Sequence, residues 1–165
     1  MSWDDLKIII DIVGSLSIII SLIYVAKQLK QGTKSLKTTT RDASFHSLME
    51  WNYNVMSDED LAWTFVNGCR DFNSLSEIQK PRFLLVMASF FKVFENIYLH
   101  YLDKSVDSNV WENNNKIFLA YFSQPGTQMY WNERKLMFHP EYRQFLDATS
   151  GAEMKDGLGI IETKS

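Results

Sequence analysis

Glu95 is the residue whose position most invites chemistry, because its carboxylate falls inside the most apolar stretch after the N-terminus, Phe83 to Tyr101. An unpaired charge there would be costly or would stay protonated. Two cations are candidate partners: Lys92, one turn earlier, and Arg134, near Trp131 in a later segment. A Glu95–Arg134 pair would hold two helices in register, or would form the polar end of a ligand pocket walled by His100 and Trp131. Internal pairing is the favoured reading, since buried charges in bundles are usually satisfied within the fold.

The remaining reactive side chains are scattered. His46, His100 and His139 form no Glu-x-x-His pair of the kind that seats a di-iron centre. Asp42, His46 and Glu50 share a helical face at four-residue spacing and could hold a metal weakly, but a solvated face is the better reading. Cys69 follows Gly68 in an expected loop beside Arg70, a setting that could lower its pKa. No Cys-x-x-Cys, nucleophile elbow or Gly-rich phosphate loop accompanies it, so an ordinary thiol is expected. No catalytic set, metal or cofactor is assigned. One cysteine in 165 residues excludes an internal disulfide framework and suits a reducing compartment.

These residues are held by a chain of unequal charge. Residues 27–41 carry Lys27, Lys30, Lys34, Lys37 and Arg41 with no acid between them, whereas residues 42–165 sum to −6. A basic block directly after an apolar run reads as a band for anionic lipid headgroups, and the acidic remainder argues against nucleic acid. The apolar run, Ile8 to Ala26, is 19 residues with 14 apolar. As a helix it would reach about 28 Å, close to the hydrocarbon thickness of a bilayer. Asp4 and Asp5 stand where a signal peptide needs positive charge, and Tyr24 stands where its cleavage site needs a small residue. The run therefore reads as a retained transmembrane anchor with Trp3 at the outer interface. By the positive-inside rule the N-terminus is expected outside and the rest in the cytoplasm.

Asp11, Gly14, Ser17 and Ser21 are spaced three, three and four apart, so they line one stripe of the anchor. Such a stripe suits association with a second copy or another membrane helix, with Asp11 neutralised across it. Equally, Asp11 could sit near the outer interface and snorkel.

The pattern after the anchor is helical throughout. Leu29, Leu36 and Ala43 recur every seven residues, so the first helix is expected to run on to about Val55, with a bend permitted at Gly32. A Ser57/Asp60 box opens a helix from Asp58 to Asn67, closed by Gly68, and Asp71 to Leu75 is a loop. A Ser74/Glu77 box leads into the central helix, with Pro81 in its first turn; Phe83, Met87, Phe90, Phe94, Ile97 and Tyr101 form its face. Lys92, Glu95, Asn96 and His100 make this helix too polar to be a second span. Asp107 or Ser108 caps the next, ended by Ser123 to Gly126; another runs from Thr127 to Phe138, and Pro140 opens the last. Trp111 and Trp131 are expected in the core, with Trp51 and Trp63 either there or at headgroups. The expected divisions are an anchor at 1–28, a basic connector at 29–56, a helical bundle at 57–150 and a flexible tail at 151–165.

Leu22-Ile23-Tyr24 with Lys27-Gln28, Phe94 to Tyr98, Asp107 ahead of Trp111-Glu112, Pro125-Gly126 ahead of Trp131, and Phe138 to Arg143 together span most of the chain from the anchor to about Asp147. In this order they resemble a family of uncharacterised bacterial single-pass membrane proteins with an N-terminal anchor helix and a Trp-rich helical cytoplasmic domain. The resemblance implies an all-helical fold and carries no assigned activity.

The sequence thus reads as all-α: a transmembrane helix followed by a small aromatic-rich bundle. It is expected to act as a membrane-tethered interaction or scaffolding module at a bacterial inner membrane, with homo-oligomerisation or a membrane-protein partner admitted by the Asp11 stripe. The alternatives are a small-ligand sensor or enzyme with an aromatic pocket around Glu95, and an oligomeric membrane channel.

Overall fold

The computed structural model describes residues 3–150; the expected tail at 151–165 lies outside them. Six α-helices and two 3₁₀ turns follow in order, and the described residues contain no strand. The helices are α1 (Trp3–Met56), α2 (Glu59–Arg70), α3 (Gln79–Leu102), α4 (Ser108–Phe122), α5 (Pro125–Arg134) and α6 (Pro140–Ser150). The chain divides into two compact units, Met1–Thr39 and Thr40–Ser165, each taken separately below.

The first unit is the leading part of α1. Every large apolar side chain from Ile12 to Val25 is 52–66% exposed, so this stretch has no cover within its own unit among the described residues. Its hydroxyls turn inward on the helix itself: Ser17 donates to the Val13 carbonyl and Ser21 to the Ser17 carbonyl, both at 2.8 Å. Thr33, Thr38 and Thr39 do the same to carbonyls four residues back, which keeps their polar groups satisfied in a segment of low helix propensity. The helix continues through Gly32, against which nothing packs.

In the second unit the closing turns of α1 present Ser44, Leu48 and Val55 as buried residues. Trp51 reaches further in, its ring 5.1 Å from Phe65 and 4.9 Å from Phe90, its indole N–H donating to Ser89 Oγ at 3.1 Å. Asp58, not a Ser57/Asp60 box, caps α2: its carboxylate accepts the Leu61 N–H at 3.0 Å and pairs with Arg82 at 2.8 Å. Asp58 succeeds because one carboxylate answers both an orphan N–H and a cation on α3.

Gly68 does not end α2, which runs on to Arg70; nor does Gly126 sit in a loop, for Pro125 opens α5. The two glycines meet instead, since a Cβ on Gly126 would overlap the Gly68 carbonyl oxygen. The backbone of α5 can come this close to the α2 carbonyls only because residue 126 carries no side chain. Likewise Ser76 and Gln79, rather than Ser74 and Glu77, exchange capping bonds ahead of α3, at 3.0 and 3.4 Å. Ser74 is already committed to a 3₁₀ turn, where its hydroxyl donates to the Asp71 carbonyl.

α3 is the core helix, burying Phe83, Met87, Phe90, Phe91, Phe94 and Ile97. Phe91 stacks on Trp131 at 5.4 Å with 12° between the rings, and Phe90 stacks on Phe118 at 5.6 Å. Rings at these separations add to the area they bury, so this small core is built mainly from aromatics. α5 stops at Arg134, four residues before its expected end at Phe138; Lys135–Met137 forms a 3₁₀ turn. His139 then stands ahead of α6, its Nδ1 accepting the Glu141 N–H at 3.4 Å.

Candidate functional site

Glu95 is buried on α3, and its two oxygens are both taken. Oε2 accepts from Lys92 Nζ at 2.6 Å, and Oε1 accepts the backbone N–H of His139 at 2.5 Å. Lys92 also donates to the Met137 carbonyl at 3.2 Å and lies 4.6 Å above the Phe138 ring. One carboxylate and one ammonium therefore tie α3 to the chain entering α6. The pair is local because residues three apart on a helix are neighbours.

The Glu95–Arg134 pair does not form. Arg134 is exposed at the end of α5, where its charge acts on the Tyr130 phenol and offsets part of the rise that burial imposes there. Trp131 is in the core and donates its indole N–H to Asp147 at 2.9 Å, which with Lys135 holds the Asp147 carboxyl below its usual range. His100 turns to Asp103 at 3.7 Å. Glu95, His100 and Trp131 are thus each engaged separately, and Arg134 stands exposed. Next to Glu95, the Tyr142 hydroxyl is buried with no hydrogen-bond partner among the described residues, and burial together with the Glu95 charge pushes its pKa well up.

Cys69 is in α2, not a loop, and is buried; desolvation pushes its thiol up to about 12, against a smaller opposing effect of the Thr127 hydroxyl. Such a thiol is neutral and unreactive near neutrality. Asp42, His46 and Glu50 are exposed, with Asp42 3.5 Å from Arg41. Among the described residues no three His, Cys, Asp or Glu side chains converge as a metal site would need. Trp111 packs on Tyr101 at 5.5 Å, Trp51 enters the core, and Trp3 and Trp63 are exposed.

No family model, curated protein or solved structure matches the chain. Its function has to be read from its own residues.

Among the described residues two helices are long and apolar enough to cross a membrane, by length and composition. The apolar window of α3 is 44% buried, as a core helix must be, whereas that of α1 is wholly exposed. Along the first unit, Lys27, Lys30, Lys34 and Lys37 line one open groove with Gln31 and Thr33. Tyr24, at the edge of the apolar run, accepts from Gln28 Nε2 at 2.8 Å. Gly14, Ser17 and Ser21 share a face, but both serine hydroxyls are bonded within their own helix; the side chain of Asp11 lies outside what the structure describes. In the second unit two clefts flank the last turns of α1. One of about 200 Å³ is lined by Arg41, Asp42, Ser44, Phe45, Ile97, Val110 and Asn114. The other, about 310 Å³, lies around Trp51, Leu61, Val86, Ser89 and Val93.

Sequence reasoning missed a second apolar stripe on α1. Phe45, Met49, Tyr53 and Met56 are spaced four, four and three apart, and all are exposed. The spacing was visible in the sequence, but which of two adjacent stripes the bundle would take was not.

Proposed function

We propose that the protein is a membrane-tethered helical interaction module: α1 crosses the bilayer, and the bundle of α2 to α6 works as a binding platform at the membrane surface. The observation that carries this reading is the stretch Ile12 to Val25, helical, with every large apolar side chain more than half exposed. Leaving these side chains in water would be unfavourable by roughly 25 cal/mol per Å² of apolar surface, and a bilayer relieves that cost. The four lysines that follow on one face suit anionic headgroups and, by the positive-inside rule, put the bundle on the cytoplasmic side of a bacterial inner membrane with the N-terminus outside. A ligand-binding or catalytic role has less support, because Glu95, His100 and Trp131 are engaged in separate contacts and Arg134 is exposed.

Membrane fractionation tests the tether. The full chain should stay in the pellet after an alkaline carbonate wash and need detergent for release. A phosphatase or fluorescent reporter fused after Ser165 should report the cytoplasm. Release by the carbonate wash alone would overturn the tether, and a reporter active only outside would overturn the orientation.

A further inference from the structure

We infer that Phe45, Met49, Tyr53 and Met56 form a contact for a second copy of this chain, α1 lying parallel to α1 across a two-fold axis. This identifies the partner of the proposed module and rests on that reading for the parallel arrangement. The four side chains are 59%, 43%, 72% and 76% exposed and occupy one helical face. The same turns of the helix already commit Ser44, Leu48 and Val55 to the bundle, so this part of α1 carries two apolar stripes, and its own domain covers one. A helix at the edge of a bundle normally turns a polar face outward.

Area and charge argue for the occupant. Large side chains of this kind offer on the order of 150–250 Å² each, so the exposed stripe amounts to roughly 500 Å². Two such faces together bury about 1,000 Å², the lower bound for a specific interface. A two-fold contact needs only this one face, used twice. No charged residue lies between Phe45 and Met56 on the stripe itself, and Asn52 beside it is neutral and donates to the Leu48 carbonyl at 2.9 Å, so the centre of the contact is uncharged. A lipid surface fits less well, because the flank of the stripe is Asp42, His46 and Glu50, and its carboxylates would repel anionic headgroups. Tethering also confines copies to one plane with the same end in the bilayer, which favours parallel helices and raises their effective concentration.

Single-cysteine crosslinking of the full-length protein in native membranes tests this. Phe45→Cys, Met49→Cys and Met56→Cys should each form disulfide-linked dimers under mild copper-phenanthroline oxidation, while Ser47→Cys on the opposite face should give about a tenth as much. Linkage of position 45 to 45 and of 56 to 56 is possible only in a parallel pair. Native Cys69 is buried, so it stays silent as background. Adding Tyr53→Glu to Met49→Cys should cut dimer yield about ten-fold, as loss of a central aromatic anchor does. Equal yields at 45, 47, 49 and 56 would overturn the proposal. So would protection of Met49→Cys from a maleimide without dimer formation, which would point to lipid or to another protein. If the chain proves not to be retained in membranes, the tether fails instead, and crosslinking in free solution still decides the dimer.

Discussion

The Gly68 carbonyl oxygen on α2 occupies the space where a side chain on Gly126 of α5 would begin. Gly68 is equally closed, since a Cβ there would strike the Phe83 ring and Leu75. The crossing of α2 and α5 therefore depends on the absent side chain of Gly126, and the packing of α2 against Phe83 and Leu75 on that of Gly68.

Gly126→Ala should destabilise the bundle by about 2–4 kcal/mol, because the obstacle is backbone and cannot rotate away. Gly32→Ala, with nothing near it, should be neutral or stabilising by up to about 1 kcal/mol. Chemical denaturation of the detergent-solubilised chain, followed by tryptophan fluorescence, reads both. Equal stability of Gly126→Ala and wild type would mean that the helices do not cross as described.

Substitutions at Glu95 separate its two bonds. Glu95→Gln keeps an oxygen for the His139 N–H and loses the ion pair with Lys92, whereas Glu95→Ala also leaves that N–H without its acceptor. Glu95→Ala should cost about 1–3 kcal/mol, and Glu95→Gln clearly less. Hydrogen exchange at the His139 amide should accelerate only in Glu95→Ala; acceleration in neither variant would remove Glu95 from this role.

Cys69 sets an alkaline limit on stability. Its folded thiol is raised to about 12 from an ordinary value of 9.0, so the folded state holds a proton that the unfolded state has lost. Stability is unaffected by this group below about pH 9 and falls between there and about pH 12, with a slope of up to about 1.4 kcal/mol per pH unit. The buried tyrosines act in the same direction, so the readout is the difference between wild type and Cys69→Ala, which should widen from pH 8 to pH 10. A thiol reagent at pH 8 should label Cys69 only after unfolding, and rapid labelling of the native protein would contradict its burial.

Neutralising the lysine face should loosen orientation more than insertion. With Lys27, Lys30, Lys34 and Lys37 all replaced by Gln, the apolar stretch is unchanged but the charge bias is gone. About 1 kcal/mol per lysine of attraction to anionic headgroups is lost. Protease digestion of intact spheroplasts should then reveal a mixed population, and unaltered protection of the C-terminal domain would show that something else orients the chain.

What could be read from the residues follows from local rules. A 19-residue apolar run and an acid-free block of five cations need no tertiary information, and the apolar face of Phe83 to Tyr101 is a matter of helical period. Helix positions came through as well, to within a few residues at each end.

Long-range choices did not come through. Gly68 and Gly126 look like helix stops in isolation, and only their approach to one another explains why they lie inside helices. Lys92 is within one turn of Glu95 by helical period alone, whereas only the fold shows Arg134 exposed at the end of α5 and away from that carboxylate.

By itself the sequence determined an all-helical chain with an uncovered apolar start, a cationic face and an aromatic centre, because hydrophobic period and charge order act over a few turns of one helix. Tertiary structure alone decided which glycines meet, which backbone N–H takes the second Glu95 oxygen, and which stripe of α1 its own bundle leaves bare. Those outcomes depend on how helices distant in sequence pack, and no spacing within one helix encodes that.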